Sequence, residues 1–339
     1  MEEINIVYSS DDNYVHIMGT SIVSLIMNNK SLCNNMTIHI LDNGISESNK
    51  KKLEKMVNQF SANIHFYNVR EKLKLLFSSE VVWNTTTYAR LFIQEFLSDT
   101  INRVLYIDPD TIIVDSIEEL YFHKIDEKYI MYGVLDRYNM GSNARLELKN
   151  CIYINAGVLL LDLKKWRENK ISDRISEMID KKEWVFADQD ILNKALENKI
   201  GILSPEYNEY MFSLVLPYEE AMKISYRRID SYYSREDYEN AKKNPVIIHF
   251  SGNLFKRPWH KKSKQTMHEL FDKYYKMTPW STKGYQKRKY TKKLYTTIYF
   301  FVCEKILYFF WKRKKYKTFT FLYNKVNDIP NKIKGMIKK

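Results

Sequence analysis

The stretch "LYIDPDTIIV" (residues 105–114) places two acids, Asp108 and Asp110, between two runs of apolar and β-branched residues. Pro109 separates the acids and cannot continue a central strand, so we predict that a strand over residues 103–108 ends in a turn at this point. Ligands bind outside the carboxyl ends of the strands in open α/β sheets, which places both acids at the expected crevice. Two close carboxylates favour a cation, and oxygen ligands suit Mg²⁺ or Mn²⁺, although a solvated surface turn has the same Asp-x-Asp pattern.

The surrounding sequence alternates short β-branched runs with longer segments of helical period, which predicts an α/β domain with a mostly parallel mixed sheet. The helix that opens with Ser46 has Asn49 at its third position, a pattern that resembles a capped helix start. Further strands are predicted over residues 4–10, 36–41, 63–69, 129–135, 155–163 and 246–250, and helices over residues 14–29, 46–60 and 87–97.

The usual phosphate-binding loops of such a sheet are missing. No GxGxxG motif follows the first strand and no GxxxxGK[ST] motif occurs in the chain, which contains only nine glycines. A metal held by carboxylates is the expected substitute for the backbone amides of a glycine-rich loop. His249, at the end of the apolar run "VIIHF", is either a buried structural residue or a third ligand that completes a site for an octahedral, Mn²⁺-like ion.

Two further polar clusters follow predicted strands or begin predicted helices. In "SSDDNY", Asp11 and Asn13 either cap the next helix or bind a base edge or a ribose. An acid at a helix N-terminus is a poor neighbour for a phosphate, which favours the base or the ribose. In "ADQDILN", Asp188, Gln189 and Asp190 form the acidic first turn of a helix or face a sugar site.

The formal net charge of +13 is concentrated at the C-terminal end of the chain. Residues 261–339 contain 22 basic and four acidic side chains, a net charge of +18, so residues 1–260 carry a net charge of −5. We therefore predict a folded α/β domain over residues 1–260 and a basic, aromatic-rich helical tail over residues 261–339. The three cysteines have no disulfide or zinc spacing and the N-terminus has no signal-peptide pattern, which predicts a cytoplasmic protein.

The tail contains "LYTTIYFFVCEKILYFFW" (residues 294–311), which is followed at once by "KRKKYK". A transmembrane helix is disfavoured because the segment is short and has a Glu-Lys pair near its middle. An interfacial helix with a cationic flank fits better, so we predict peripheral attachment to the cytoplasmic face of the inner membrane through residues 294–317. A true span and a tail that packs on the domain or on a partner are the alternatives. No nucleic acid is expected, because the charge is not spread over a groove.

Seven stretches occur in a fixed order over nearly all of residues 1–260. They are "SSDDNY" (9–14), "LDNGISESNKKKL" (41–53), "TTTYARLFIQEFL" (85–97), "VLYIDPDTIIV" (104–114), "INAGVLLLDLKKWR" (154–167), "DQDILN" (188–193) and "HFSGNLFKRPWH" (249–260). This series resembles the family 8 retaining glycosyltransferases, in particular bacterial galactosyl- and glucosyltransferases that extend lipopolysaccharide or lipooligosaccharide. The basic tail also resembles the membrane-attachment segment of the lipooligosaccharide enzymes.

The resemblance implies a GT-A fold with one nucleotide-sugar-binding domain, Mn²⁺ or Mg²⁺ as the metal, a UDP-hexose donor and a glycan or lipid-linked oligosaccharide acceptor. It implies Asp108, Asp110 and His249 as the metal ligands. The catalytic residues that it implies around the donor sugar are Gln189, Asp188, Asp136 and Asn155. The other implied contacts to the UDP-sugar are Ser9, Asp11, Asn13, Arg90, Pro109, Gly252, Lys256 and Arg257.

The implied reaction moves galactose or glucose with retention of configuration. Negative charge develops on the departing UDP, where the metal and either Lys256 or Arg257 would stabilise it. We favour a front-side mechanism in which a UDP phosphate oxygen takes the acceptor proton. A double displacement would need a nucleophile, for which Gln189 is placed but chemically poor, and Asp188 or Asp190 is the alternative. A nucleic-acid-binding protein and a membrane-associated scaffold with a decayed transferase site are the competing interpretations of the whole chain.

Overall fold

A computed structural model of the protein describes residues 2–76, 85–137, 142–150, 152–179, 184–224, 233–251, 257–261, 263, 267–285 and 306–323. The strands are numbered along the chain as β1 (Ile4–Ser10), β2 (Met36–Asp42), β3 (Asn63–Asn68), β4 (Arg103–Ile107), β5 (Thr111–Ile113), β6 (Met131–Leu135), β7 (Ile154–Asp162), β8 (Ile200–Ile202), β9 (Glu209–Tyr210) and β10 (Ile247–His249). They form a seven-stranded sheet in the order β3-β2-β1-β4-β7-β6-β8 and a three-stranded sheet in the order β5-β10-β9.

The large sheet is parallel apart from β7, which pairs antiparallel with both β4 and β6. This arrangement confirms the predicted mostly parallel mixed sheet. All residues of β1 and β2 are buried, as is typical of parallel strands that are covered on both faces. The buried polar residues Asn5 and His39 of these strands hydrogen-bond to each other at 2.8 Å. The seven strands predicted from the sequence all form, within one or two residues at each end.

The α-helices lie between the strands along the chain, apart from the last two, which follow β10. They are α1 (Val15–Asn28), α2 (Glu47–Asn58), α3 (Arg70–Leu76), α4 (Ile93–Phe96), α5 (Glu118–Tyr121), α6 (Ser142–Arg145), α7 (Leu163–Glu168), α8 (Ile171–Ile179), α9 (Ala187–Ala195), α10 (Met211–Val215), α11 (Tyr218–Ile224), α12 (Arg235–Lys243), α13 (His268–Tyr275) and α14 (Tyr308–Lys312). Short 3-10 helices lie at Lys30–Asn35, Thr85–Phe92, Pro205–Asn208 and Ser281–Lys283.

The small sheet determines where the two acids of the opening stretch lie. β4 ends at Ile107, the chain turns through Asp108, Pro109 and Asp110, and β5 begins at Thr111. β5 pairs antiparallel with β10, which places His249 directly opposite Thr111. The strand β5 was not predicted from the sequence, and its pairing brings a distant part of the chain to the acids.

The predicted helix over residues 87–97 differs from the structure. The segment forms a 3-10 helix at Thr85–Phe92 and then the one-turn helix α4. Within it the buried Arg90 donates from Nε to the carbonyl oxygen of Thr87 at 3.1 Å. Its guanidinium is directed toward acids of another part of the chain, and this tertiary contact outweighs the helical period of the sequence.

The predicted cap of α2 is also different from the expectation. The side chain of Ser46 makes no capping hydrogen bond. Instead Oδ1 of Asp12, from the loop after β1, accepts hydrogen bonds from the backbone N–H of Ser46 at 2.8 Å and from the side-chain amide of Asn49 at 2.7 Å. The start of α2 is therefore tied to the β1 loop rather than capped by its own residues.

The predicted division at residue 260 stays a prediction, but the described core continues beyond it. Phe271, Tyr274, Tyr275 and Trp280 are buried in the same apolar cluster as the sheet. The indole N–H of Trp280 donates to Oδ1 of Asn49 at 2.9 Å. This segment therefore packs against the body of the domain.

The last described part of the tail, residues 306–323, also packs on the domain. Leu307 and Phe319 are fully buried in a second apolar cluster with Leu216, Ala221 and Tyr238, around α10 to α12. Residues 294–305 of the predicted membrane-attachment segment lie outside the described residues. Among the helices that the structure describes, none has both the length and the apolar character needed to cross a bilayer.

Candidate active site

Asp108, Asp110 and His249 converge at the carboxyl end of β4, as the metal-site hypothesis predicted. Nε2 of His249 lies 3.2 Å from Oδ1 of Asp110 and 3.8 Å from Oδ2 of Asp108. Each of the three residues offers one ligand atom, and these atoms all lie within 4.8 Å of one another. Residues far apart in the sequence therefore present two oxygens and one nitrogen to a common centre.

An arginine holds the second oxygen of each carboxylate. Oδ1 of Asp108 accepts from Arg90 at 2.7 Å and from the hydroxyl of Tyr106 at 3.0 Å. Oδ2 of Asp110 accepts from Arg257 at 2.7 Å. The arginines thus orient both carboxylates so that the remaining oxygen of each faces His249.

The residues present fit a divalent cation. Burial raises the pKa of Asp110, but His249 and Arg257 outweigh burial and hold that pKa well below the usual range of a carboxyl group. The Asp110 carboxyl is therefore ionised, as a metal ligand must be. Two carboxylate oxygens and one imidazole nitrogen form a donor set that suits Mn²⁺ and leaves coordination positions for other ligands.

Arg90 contacts Asp108 of the predicted metal site and also Asp188, which belongs to a second group of residues. Its Nε lies 2.9 Å from Oδ2 of Asp188 at the start of α9, and the guanidinium carbon lies 4.5 Å from the centroid of the Tyr106 ring. Arg90 also donates to the carbonyl oxygen of Ala156. Burial raises the pKa of Asp188 to about 6, opposed by the attraction of Arg90 and reinforced by the repulsion of Asp108.

A hydrogen-bonded pair of amides lies on the other side of Arg90. Oε1 of Gln189 accepts from Nδ2 of Asn155 at 3.0 Å and from the backbone N–H of Ala156 at 3.2 Å. Nε2 of Gln189 donates to Oδ2 of Asp136 at 2.8 Å. The four residues implied as catalytic, Gln189, Asp188, Asp136 and Asn155, therefore lie together, next to the two acids and His249.

Asp190, by contrast, anchors α9 within the domain. It is fully buried, and its oxygens accept from the hydroxyl of Tyr153 at 2.7 Å, from Arg145 at 2.7 Å and from the backbone N–H of Phe186 at 2.8 Å. Ala187, which precedes Asp188, has a φ of 47°, a left-handed conformation that is strained for a residue with a Cβ. The contacts of Asp190 hold this strained helix start in place.

The loop after β1 borders a cavity of about 380 Å³. Oδ1 of Asp11 accepts from the backbone N–H groups of Asn13 and Tyr14, each at 3.0 Å, and so closes a turn before α1. The alternative of a helix cap is wrong, because α1 begins after Tyr14 without a side-chain capping hydrogen bond. The cavity is lined by Asp11, Asp12, Asn13, Asn43, Gly44, Arg70, Leu73, Lys74 and Thr85. Asp11 and Asn13 both line this cavity, whereas the hydroxyl of the buried Ser9 bonds to Tyr106 at 2.9 Å.

Three residues of the site were missed by sequence reasoning. Tyr106 lies inside β4, Asn208 bonds to His249 and Asn155, and Gly157 lies against the imidazole, where an added Cβ would be 2.3 Å from Cε1 of His249. The glycine in "INAG" was the one available signal, since a glycine inside a strand often marks a close approach. Pro109 is buried in the turn between the acids, and the predicted contacts Gly252 and Lys256 lie outside the described residues.

One family model matches most of the chain, and several known proteins are similar to it. The family model described as "Glycosyl transferase family 8" matches residues 5–263. General stress protein A of Bacillus subtilis (strain 168) is 27% identical over 294 residues, which are 84% of this chain and 96% of the relative. The lipopolysaccharide 1,2-glucosyltransferase of Escherichia coli (strain K12) is 28% identical over 267 residues, 77% of this chain and 74% of the relative.

Among solved structures, the galactosyltransferase LgtC in complex with donor and acceptor sugar analogues is similar with a TM-score of 0.68. The two chains are 24% identical, and the likeness covers 83% of this chain and 100% of LgtC. This likeness confirms the predicted GT-A fold. Neither competing interpretation, the nucleic-acid-binding protein or the decayed scaffold, gains support from these relatives.

Proposed function

The chain belongs to glycosyl transferase family 8, and we propose that it transfers glucose or galactose from a UDP-sugar to a hydroxyl of a glycan or lipid-linked acceptor, with retention of configuration. The observation that carries this proposal is the convergence of Asp108, Asp110 and His249 beside a buried arginine and a hydrogen-bonded pair of amides. The acids and the imidazole suit a cation that binds a diphosphate, whereas the amides suit the hydroxyls of a sugar. The relation to a lipopolysaccharide glucosyltransferase supports a hexose and an acceptor of the cell surface.

We assign the metal to the three converging side chains and the protein's own contact with the diphosphate to Arg257. When bound there, Mn²⁺ or Mg²⁺ would neutralise the charge that develops on the departing UDP. Arg257 would add a fixed positive charge to the same leaving group, since its guanidinium already lies beside Asp110. Lys256 is the other candidate cation and lies outside the described residues.

The donor is expected to extend from the cavity at the β1 loop to the amides near α9. Asp11 and Asn13 line the cavity and would bind the uracil or the ribose. Around the hexose, Asp136, Asn155 and Gln189 would accept and donate hydrogen bonds, because their mutual bonds already orient their polar atoms. A hexose held in this way would have its anomeric carbon directed to the diphosphate.

Retention is best explained by a front-side reaction. In this scheme the acceptor hydroxyl attacks the anomeric carbon from the face that UDP leaves, and its proton passes to a phosphate oxygen of the departing UDP. The contacts of Gln189 support this scheme, since both ends of its amide are engaged and an amide is a weak nucleophile. Asp190 makes three hydrogen bonds within the domain, so a covalent intermediate on it would require their loss.

We further propose that the tail attaches the protein to the cytoplasmic face of the membrane. Ile306, Phe309 and Phe321 are exposed apolar residues in the described part of the tail. They lie near exposed basic residues of the segment 312–317, and apolar side chains next to cations favour an anionic lipid surface. A lipid-linked acceptor would be available at such a surface.

A screen of UDP- and GDP-sugars for hydrolysis in the absence of an acceptor tests the proposed donor and metal. We expect turnover with UDP-glucose or UDP-galactose that requires Mn²⁺ or Mg²⁺ and is largely lost in Asp110→Ala. Asp99→Ala is the matched control, because the Asp99 side chain is 89% exposed and remote from the site. Turnover at the wild-type rate in Asp110→Ala without metal would overturn the proposal.

A further inference from the structure

Asn208, at the end of the 3-10 helix that precedes β9, is a fully buried amide with two partners in the site. Its Oδ1 lies 3.0 Å from Nδ1 of His249, and its Nδ2 lies 2.9 Å from Oδ1 of Asn155. We propose that Asn208 is a positioning residue that keeps a proton of His249 on Nδ1, so that Nε2 can present its lone pair to the cation. Asn208 also joins the metal site to the sugar-binding amides. The inference rests on the proposed function in taking His249 as a metal ligand.

The direction of every hydrogen bond in this chain follows from two backbone groups. The N–H of Gly157 donates to Oδ1 of Asn155 at 2.9 Å, and the N–H of Ala156 donates to Oε1 of Gln189 at 3.2 Å. A backbone N–H only donates, so the side-chain atoms that face these groups must be the amide oxygens. Nδ2 of Asn155 then donates to Gln189, and Nε2 of Gln189 donates to the carboxylate of Asp136.

The same logic fixes the orientation of Asn208. Because Oδ1 of Asn155 accepts from Gly157, its second partner must also be a donor, and this partner is Nδ2 of Asn208. Asn208 therefore turns Oδ1 toward His249, and an amide oxygen only accepts. If His249 carried its proton on Nε2 alone, two lone pairs would face each other across 3.0 Å in a fully buried site.

Packing prevents the imidazole from turning away from this arrangement. The ring stacks on Tyr210 with 5.9 Å between centroids and an interplanar angle of 22°. Its other side approaches Gly157 so closely that an added Cβ would lie 2.3 Å from Cε1. The ring is therefore confined between β7 and β9 with Nδ1 toward Asn208 and Nε2 toward the two acids.

A partner on the second nitrogen of a metal-bound histidine usually affects metal affinity, and replacing it typically lowers affinity about 10- to 100-fold. Asn208 is such a partner, and it also holds Asn155. The metal ligand and the donor-sugar residues are thus linked by one continuous chain that runs from His249 through Asn208, Asn155 and Gln189 to Asp136.

The first test is the tautomer of His249 in the full-length, metal-free protein labelled with ¹⁵N-histidine. The chain has seven histidines, and the His249 signals are assigned by their loss in His249→Gln. Without metal, Nε2 can also donate a proton to Oδ1 of Asp110, so the diagnostic atom is Nδ1. We expect Nδ1 to be protonated in the wild type and to lose proton occupancy in Asn208→Leu. A wild-type His249 with an unprotonated Nδ1 would overturn the inference, and this measurement needs neither bound metal nor activity.

The second test is the affinity for Mn²⁺ without nucleotide, measured for three variants. Asn208→Leu removes both contacts with a side chain that branches at the same carbon, and it should bind Mn²⁺ about 10- to 100-fold more weakly than the wild type. Asn208→Asp keeps an acceptor for Nδ1 of His249 but loses the donor to Asn155. It should bind Mn²⁺ more tightly than Asn208→Leu, which a merely structural role would not predict. Asn240→Leu, at an exposed position of α12, should bind Mn²⁺ as the wild type does.

The outcomes separate the inference from the proposed function. The inference would be overturned if Asn208→Leu folded and bound Mn²⁺ as tightly as the wild type. It would also be overturned if Asn208→Asp bound Mn²⁺ no more tightly than Asn208→Leu. If the wild type itself did not bind Mn²⁺, the proposed metal role would fail, and the protonation of His249 in the metal-free protein would still decide the positioning role. If Asn208→Leu did not fold, the comparison of Asn208→Asp with the wild type would replace it.

Discussion

Arg257 donates to Oδ2 of Asp110 at 2.7 Å, the oxygen opposite to the one that faces His249. A cation in this position orients a metal ligand and also carries the charge that a departing diphosphate requires. Removing it should therefore affect the chemical step more than the binding of the donor.

We expect Arg257→Ala to lower kcat by about 10²- to 10³-fold with a smaller change in KM, as is typical when a group that stabilises developing charge is removed. Arg257→Lys, which keeps the charge but not the planar guanidinium, should lose less. Steady-state kinetics with the best UDP-sugar checks both variants. Arg235→Ala, at an exposed ion pair with Glu219, should leave kcat unchanged. If Arg257→Ala raised KM and left kcat unchanged, Arg257 would contribute to donor binding alone.

Arg90 is a stability determinant as well as part of the site. It is 5% exposed and forms ion pairs with Asp108 and Asp188. Arg90→Leu should lower the free energy of unfolding by about 3 kcal/mol or more, because two largely buried carboxylates lose their shared cation. Denaturant unfolding measures this loss, and Arg235→Ala should change the free energy of unfolding by less than about 1 kcal/mol. Equal losses of unfolding free energy in Arg90→Leu and Arg235→Ala would show that the burial of the Arg90 ion pairs does not make them more important for stability.

Two glycine substitutions should separate stability from metal binding. Gly157→Ala would place a Cβ 2.3 Å from His249, and Gly201→Ala would place one 2.2 Å from the ring of Tyr132, away from the two acids. Both variants should be less stable in thermal unfolding. We expect only Gly157→Ala to lose affinity for Mn²⁺, by at least about 10-fold, because it displaces a ligand. Retention of full affinity would mean that His249 is not a ligand.

Acid should destabilise the protein in part through His39, which bonds to Asn5 and Tyr67. Burial, with a smaller contribution from His65, lowers the pKa of His39 to about 4. The unfolded chain binds this proton near pH 6.5, so the stability contributed by the neutral ring is present above that pH and is lost as the pH falls toward 4.

Between pH 7 and pH 5 this effect corresponds to about 2 kcal/mol of unfolding free energy. We expect the decrease in unfolding free energy between pH 7 and pH 5 to be smaller in His39→Gln than in the wild type. His65→Gln, at an exposed position, should show most of the wild-type decrease. Denaturant unfolding at the two pH values measures the difference. An identical pH dependence in His39→Gln and the wild type would show that the proton is taken up elsewhere.

The exposed apolar residues of the tail should determine membrane affinity. Phe321 and Phe309 are 61% and 47% exposed. Replacing both with serine should reduce flotation of the full-length protein with anionic phospholipid vesicles, because apolar area is lost beside the basic cluster. Leu75→Ser, at a residue that is 82% exposed on α3, is the control for apolar exposure as such. Unchanged flotation of the double variant would refute attachment through this segment.

Much of the fold was predictable because its signals are local. The buried strands β1, β2 and β4 are short runs rich in apolar and β-branched residues. Pro109 ends strand pairing independently of the rest of the chain, because it has no N–H to donate. The residues around 87–97 were predicted less well, since their apolar period suits an α-helix while the buried Arg90 requires a different backbone. The small strand β9 has two residues, too few for any periodicity.

The sequence by itself determined the strands of the large sheet, the turn that carries two acids, and the types of side chain that could bind a metal and a sugar. These properties depend on neighbouring residues, so they can be recognised without knowing the partners in space. Only the tertiary structure decided which atoms meet. The pairing of β5 with β10 brings His249 to Asp110 across 139 positions, and the buried Asn208 joins His249 to Asn155, because contacts between distant segments depend on the packing of the whole sheet.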